Sequence, residues 1–177
     1  MRRSGLPALL AAGALALFAG HARAVTSPDF TYSAFQPGYL QISPLEMEFI
    51  GSVLGKNYTR NINTGLTSDE GCFTVPMSAP QGAWLYSAEI TYATTHLTSL
   101  NVRMIRASVA SGQAATIINQ AIGDTSGTKK KATFVIANAD HRLIKNDLYS
   151  YGFTVCLTTG DVFYGARVLY HYNSAGD

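Results

Sequence analysis

From Cys72 onward, apolar and polar residues alternate with a period of two. Trp84, Tyr86, Ala88, Ile90 and Tyr92 are interleaved with Ser87, Glu89 and Thr91. Leu100, Val102 and Met104 are interleaved with Asn101 and Arg103. Side chains on a pleated strand point to opposite faces in turn, so each run predicts a strand with one apolar face. Shorter strands are expected at Cys72–Met77, at Ala115–Ile118 and at Ala132–Ile136. Pro80-Gln81-Gly82 and Gly123–Gly127 read as turns between them. The strongest signal is near the end. Tyr149, Tyr151, Phe153, Val155 and Leu157 alternate, Thr159-Gly160-Asp161 makes a tight turn, and Val162 to Tyr170 runs back. Two strands joined by a short turn containing Gly predict a hairpin.

Upstream the pattern is weaker. Leu45, Met47 and Phe49 alternate, while Leu45, Phe49 and Val53 also fit a helical stripe. The β context favours a strand within 41–54. Residues 56–71, rich in Asn, Thr and Gly, read as a loop with room for one short strand. Residues 25–40, with Pro28, Pro37 and Gly38, read as a loosely ordered segment. No helical period persists beyond about ten residues, so the fold class is all-β, an antiparallel sandwich or barrel over 41–173.

The first 24 residues stand apart. Met1-Arg2-Arg3 is basic, residues 6–19 are apolar and uncharged, and Ala22-Arg23-Ala24 has the form of a cleavage site. The apolar run is too short for a spanning helix, which needs roughly 20 residues. The segment reads as a secretory signal peptide, and the expected localisation is secreted or periplasmic. With Arg2, Arg3 and Arg23 removed, ten Lys and Arg remain against eleven Asp and Glu, a formal charge of −1 rather than +2. That balance argues against nucleic acid as a partner. No later stretch is long enough to be a transmembrane helix. In an exported chain the two cysteines, Cys72 and Cys156, predict a disulfide.

From Ala79 to Tyr172 the chain resembles a group of secreted bacterial β-sandwich proteins of unknown function. The residues that carry the resemblance are Ala79-Pro80-Gln81-Gly82-Ala83, Ile90-Thr91-Tyr92, Leu100 to Met104, Tyr149 to Val155 and Tyr164 to Tyr170. Two positions depart from the pattern: Gln81 follows Pro80, and Ala93-Thr94 stands where an aspartate is often found. The resemblance implies a jelly-roll-like sandwich and carries no catalytic residue with it.

Candidate chemistry is sparse. There is no G-x-S-x-G nucleophile elbow. His96, His141 and His171 lie far apart, and none has a second ligand at metal-binding spacing, so no metal and no cofactor is expected. Asp69-Glu70 and the pair Glu46 and Glu48 read as solvated acids. Asp124-Thr125-Ser126-Gly127 offers too few oxygens for a calcium loop and reads as a turn. Lys129-Lys130-Lys131 reads as a solvated flank that keeps the following strand from pairing with other chains.

The aromatic residues remain, since Tyr and Trp rings can stack on sugars. Trp84, Tyr86 and Tyr92 share a face by simple alternation, and a core needs the same pattern, so that face is assigned to the core. Tyr32, Tyr39 and Tyr58 fall in loop-like stretches and are better placed for exposed contacts. The candidate ligand-binding residues are Tyr39, Tyr58 and Trp84, with no catalytic residue. The expected function is a non-catalytic binding or surface-interaction domain, with a glycan or an envelope protein as partner. The alternatives are a structural envelope-associated protein and a hydrolase with a non-contiguous site.

Overall fold

The computed structural model describes residues 31–51 and 57–174. The expected signal peptide, residues 1–24, lies outside the described residues. Strands β1 (Thr31–Ile42), β3 (Tyr58–Asn61), β4 (Gly65–Ser68), β6 (Trp84–Ala93), β9 (Lys130–Val135) and β11 (Val162–Ser174) form one sheet. Strands β2 (Glu48–Phe49), β5 (Glu70–Met77), β7 (Leu100–Ser108), β8 (Ala114–Ile122) and β10 (Tyr149–Thr158) form the other. The six-stranded sheet runs β3-β4-β11-β6-β9, with β1 also on β11, and the five-stranded sheet runs β2-β5-β10-β7-β8. The expected final hairpin is corrected: β10 and β11 follow one another through the turn at 159–161 but do not pair. Strand β10 pairs with β5 and β7 in one sheet, β11 with β1, β4 and β6 in the other, and both become central. Every pairing is antiparallel. The fold is an antiparallel β-sandwich of jelly-roll type.

The core forms where the alternating faces of the two sheets meet. On β10, Tyr151, Phe153, Val155 and Leu157 are buried, as the period of two predicts. The Phe153 ring lies 6.0 Å from the ring of Phe163 on β11, joining one sheet to the other. Cys72 and Cys156 are directly opposed partners on β5 and β10 and are bonded, with Cα atoms 3.9 Å apart.

The upstream expectations need correction. Residues 31–40 are not a loose segment: they belong to β1, whose partners on β11 run from Ser174 to Ala166. Pro37 is compatible with this because β1 pairs along one side only, where a missing N–H can face outward. A Cβ at Gly38 would stand 2.3 Å from the Tyr170 ring, so any larger residue there would displace that ring. The supposed loop over 56–71 holds the β3–β4 hairpin. Within 41–54 the strand pattern is broken by a 3-10 turn at Pro44–Glu46. There the Ser43 side chain accepts from Leu45 N–H, and Glu46 reaches back to the Ser43 N–H.

The lysines flanking β9 are not simply solvated. Lys130 pairs with Asp124, whose carboxylate also accepts from the Ser126 hydroxyl at 2.7 Å. The lysine first, then the hydroxyl, holds the Asp124 pKa down at about 2. A carboxylate whose pKa is lower when folded stabilises the fold above its ordinary value of 3.8, and the contribution is lost as pH falls through about 2. An NMR titration is expected to place Asp124 near pH 2, and Lys130→Gln to move it back toward 3.8.

A candidate ligand-binding face

The outer surface of the six-stranded sheet is set by strand parity. On β11, Ala166 and Val168 are buried, so Arg167, Leu169 and His171 point away from the core. On β1 the same alternation exposes Phe35 (57%) and Tyr39 (49%). The faces of β6 change partway along. Ala88, Ile90 and Tyr92 point inward, but so does Leu85, while Trp84 and Tyr86 are 41% and 47% exposed. The cause is a bulge: Leu169 pairs with Ser87 and Tyr170 with Leu85, leaving Tyr86 as an extra residue. One extra residue reverses the side-chain parity beyond it. The assignment of Trp84, Tyr86 and Tyr92 to a common buried face is therefore corrected. Tyr92 is core, and Trp84 and Tyr86 belong to the surface.

These rings form one wall system. Tyr86 and His171 stack with centroids 5.1 Å apart and planes 24° from parallel. Trp84, Tyr86, His171, Phe35 and Arg142 line a groove of about 330 Å³. The one-turn helix α1 (Ala139–Arg142) delivers Arg142 to it. The turn is held by an N-cap at Asn138, by the Arg142 Nε–H donated to the Ile136 carbonyl, and by a bridge from Leu143 to Trp84.

A second groove, of about 410 Å³, lies further along the same strands. Its polar lining includes Gln41, Thr91, Glu89, Lys131 and Arg167. Glu89 accepts from Lys131 Nζ at 2.9 Å and pairs with the Arg167 guanidinium at 3.5 Å. The hydrogen bond from Lys131, with the two nearby positive charges, holds the Glu89 pKa below the usual carboxylate value. Arg167 also lies over the Tyr39 ring, 4.8 Å from its centroid, so it joins the charged groove to the exposed aromatics.

Of the three predicted aromatics, the structure brings Tyr39 and Trp84 to this face and leaves Tyr58 elsewhere. The Tyr58 ring stacks on Phe49 (5.8 Å) and meets Phe73 edge-on (5.3 Å), with the Arg60 guanidinium 5.6 Å from its centroid. Its ring is engaged in packing. Sequence reasoning missed Phe35, Tyr86, Arg142, Arg167 and His171. His171 follows β11 parity and was within reach of a pattern argument. Tyr86 was not, because nothing local marks the bulge.

Among the described residues, Glu89 is the only carboxylate lining either groove. Among the described residues, no group of three or more His, Cys, Asp or Glu is placed to hold a metal ion. The face offers flat rings, fixed hydrogen-bond donors and positive charge, which suit stacking and polar recognition. Among the described residues no helix is long and apolar enough to cross a membrane.

No protein-family model matches this chain, and no curated protein sequence does. Among solved structures, the chain is similar to the C-terminal CBM6 of LamC, a marine laminarinase from Zobellia galactanivorans. That likeness has 10% identity and a TM-score of 0.46, over 74% of this chain and 98% of that one. A xylan-binding module, CBM15, shows 11% identity and a TM-score of 0.46, over 79% of this chain and all of that one. Dimeric latent PorU from Porphyromonas gingivalis shows 10% identity and a TM-score of 0.40, over 81% of this chain and 13% of that one. Likeness at this level establishes neither a shared site nor a shared activity.

Proposed function

We propose that this protein is an exported, non-catalytic carbohydrate-binding domain that takes a glycan on the outer face of its six-stranded sheet. The observation that carries this reading is the exposure of Trp84 and Tyr86 beside His171, on paired strands of the sheet. Large rings held outward by a bulge contribute nothing to the core, and a bulge that re-aims side chains is a common device at binding sites. Rigid rings bury much area for little lost conformational entropy, which favours stacking against the C–H face of a sugar. Arg142 and Gln41 supply donors for hydroxyl groups in the adjoining grooves. The disulfide supports an oxidising compartment, in keeping with the signal-like leader.

The test is binding of the purified protein to a panel of cell-wall and storage polysaccharides by affinity electrophoresis and calorimetry. Trp84→Ala is expected to weaken binding about tenfold, the effect of losing roughly 1–2 kcal/mol of stacking and buried area. Leu97→Ala, which alters a side chain 73% exposed and outside both grooves, is expected to leave it unchanged. Binding that survives Trp84→Ala intact would remove the site from this face.

A further inference from the structure

The charge of this face narrows the class of glycan. Downstream of residue 24 the chain carries ten Lys and Arg against eleven Asp and Glu. Of those ten cations, Lys131, Arg142 and Arg167 line the two grooves, and Lys129 lies over the ring of the lining Tyr164. Glu89 is the one lining carboxylate among the described residues, and Glu46 stands beside the charged groove, accepting from the Ser43 N–H. A chain that is slightly acidic as a whole therefore presents a face with net positive charge. Two of the cations are also gathered at one point. Lys131 Nζ and Arg167 Nη2 both pair with the same oxygen of Glu89, Oε1, at 2.9 and 3.5 Å. Their side chains are 63% and 45% exposed, so neither is exhausted by that contact. An ammonium has three donors and a guanidinium five, and one carboxylate leaves most of them free.

We infer that the charged groove receives an anionic group on the glycan, so that the ligand class is an acidic polysaccharide. The inference rests on the glycan-binding reading above. In this arrangement Glu89 holds the two cations together, and a carboxylate or sulfate on the polymer bridges their remaining donors. The sugar rings lie toward Tyr39 and Trp84. Charge-assisted hydrogen bonds are the stronger kind, and Arg can grip either anion in two-pronged fashion. Glu89 plays two parts, ordering the cations and cancelling part of their charge, and the second dominates for an incoming anion because the pair is solvent-exposed.

The experiment compares polymers that differ only in charge. Polygalacturonate is set against its fully methyl-esterified form, and dextran sulfate against dextran, each titrated into the full exported protein. The expected result is binding to the charged member of at least one pair at least tenfold tighter than to its neutral partner. That preference should shrink as salt rises from about 0.05 to about 0.3 M, where screening is much stronger. Lys131→Gln with Arg167→Gln is expected to weaken charged-polymer binding about tenfold, the scale of a lost charge-assisted hydrogen bond. Glu89→Gln is expected to tighten charged-polymer binding about threefold. Which pair responds tells a carboxylate ligand from a sulfate.

Equal binding to both members of each pair, or charged-polymer binding unmoved by the double variant, would overturn the acidic ligand and leave the glycan-binding reading standing, provided Trp84→Ala still weakens it about tenfold. Binding to neutral polymers alone has the same meaning. No binding to any polymer overturns both. Circular dichroism of each variant separates lost recognition from lost folding.

Discussion

Replacing Cys72 and Cys156 together by alanine is expected to lower the free energy of unfolding by about 4 kcal/mol. The two residues are 84 apart in sequence and directly opposed in space. Strands β6 to β9, drawn from both sheets, lie between them. The bond therefore confines, in the unfolded chain, a segment that must otherwise be gathered into two layers. It does so on the outer side of the five-stranded sheet, since Phe73 and Val155 beside the cysteines point into the core. The double alanine variant loses the constraint without leaving a large buried cavity. At about 3 °C per kcal/mol for a domain of this size, the melting temperature should fall by roughly 12 °C. Thermal and urea unfolding of the oxidised protein, the reduced protein and the variant would measure this. The reduced protein and the variant should coincide, and a midpoint unchanged by both treatments would contradict the cross-link account.

Phe153→Ala is expected to cost about 3–5 kcal/mol by a different route. Phe153 is fully buried on β10, between β5 and β7, and its ring meets that of Phe163 across the sandwich. Truncation removes apolar contact from both sheets at once and leaves a cavity that strands held by two neighbours cannot close. Phe35→Ala is the matched comparison: the ring is 57% exposed, and the change should stay within about 0.5 kcal/mol. Urea denaturation of both variants gives the comparison, and similar losses would mean that the sandwich interior is not where the structure places it. The pair also parts stability from binding, since Phe35 lines the aromatic groove and Phe153 does not.

Much of the architecture was legible in the alternation. The last two strands are a clear instance: residues 149–157 and 162–170 become β10 and β11, which end at Thr158 and Ser174, although they enter different sheets instead of pairing as a hairpin. On β10 the inward residues are the ones that the period of two selects. On β11 Phe163 is buried out of phase with Ala166 and Val168, because the register against β6 shifts between Phe163 and Gly165. The Ala115–Ile118 strand was seen but too short. It runs from Ala114 to Ile122 as β8, whose edge position leaves Asn119, Gln120 and Ala121 exposed and so blurs the pattern. Strand β1 was missed for a related reason. Pro37 and Gly38 carry loop propensity, and only pairing with β11, more than a hundred residues away, outweighs it.

By itself the sequence determined the all-β class, the existence of the last two strands, the export signal as an expectation, and a cysteine pair able to bond. Each of these depends on composition or on neighbours a few residues apart. The tertiary structure alone decided which aromatics are available to a ligand. Trp84, Tyr86 and Tyr92 are indistinguishable in the alternation, yet Tyr92 is 6% exposed and the other two exceed 40%. The difference arises where β6 must fit β11, with one residue too many between Leu85 and Ser87. A bulge is a property of two strands in register, and no run of residues on one strand encodes it alone.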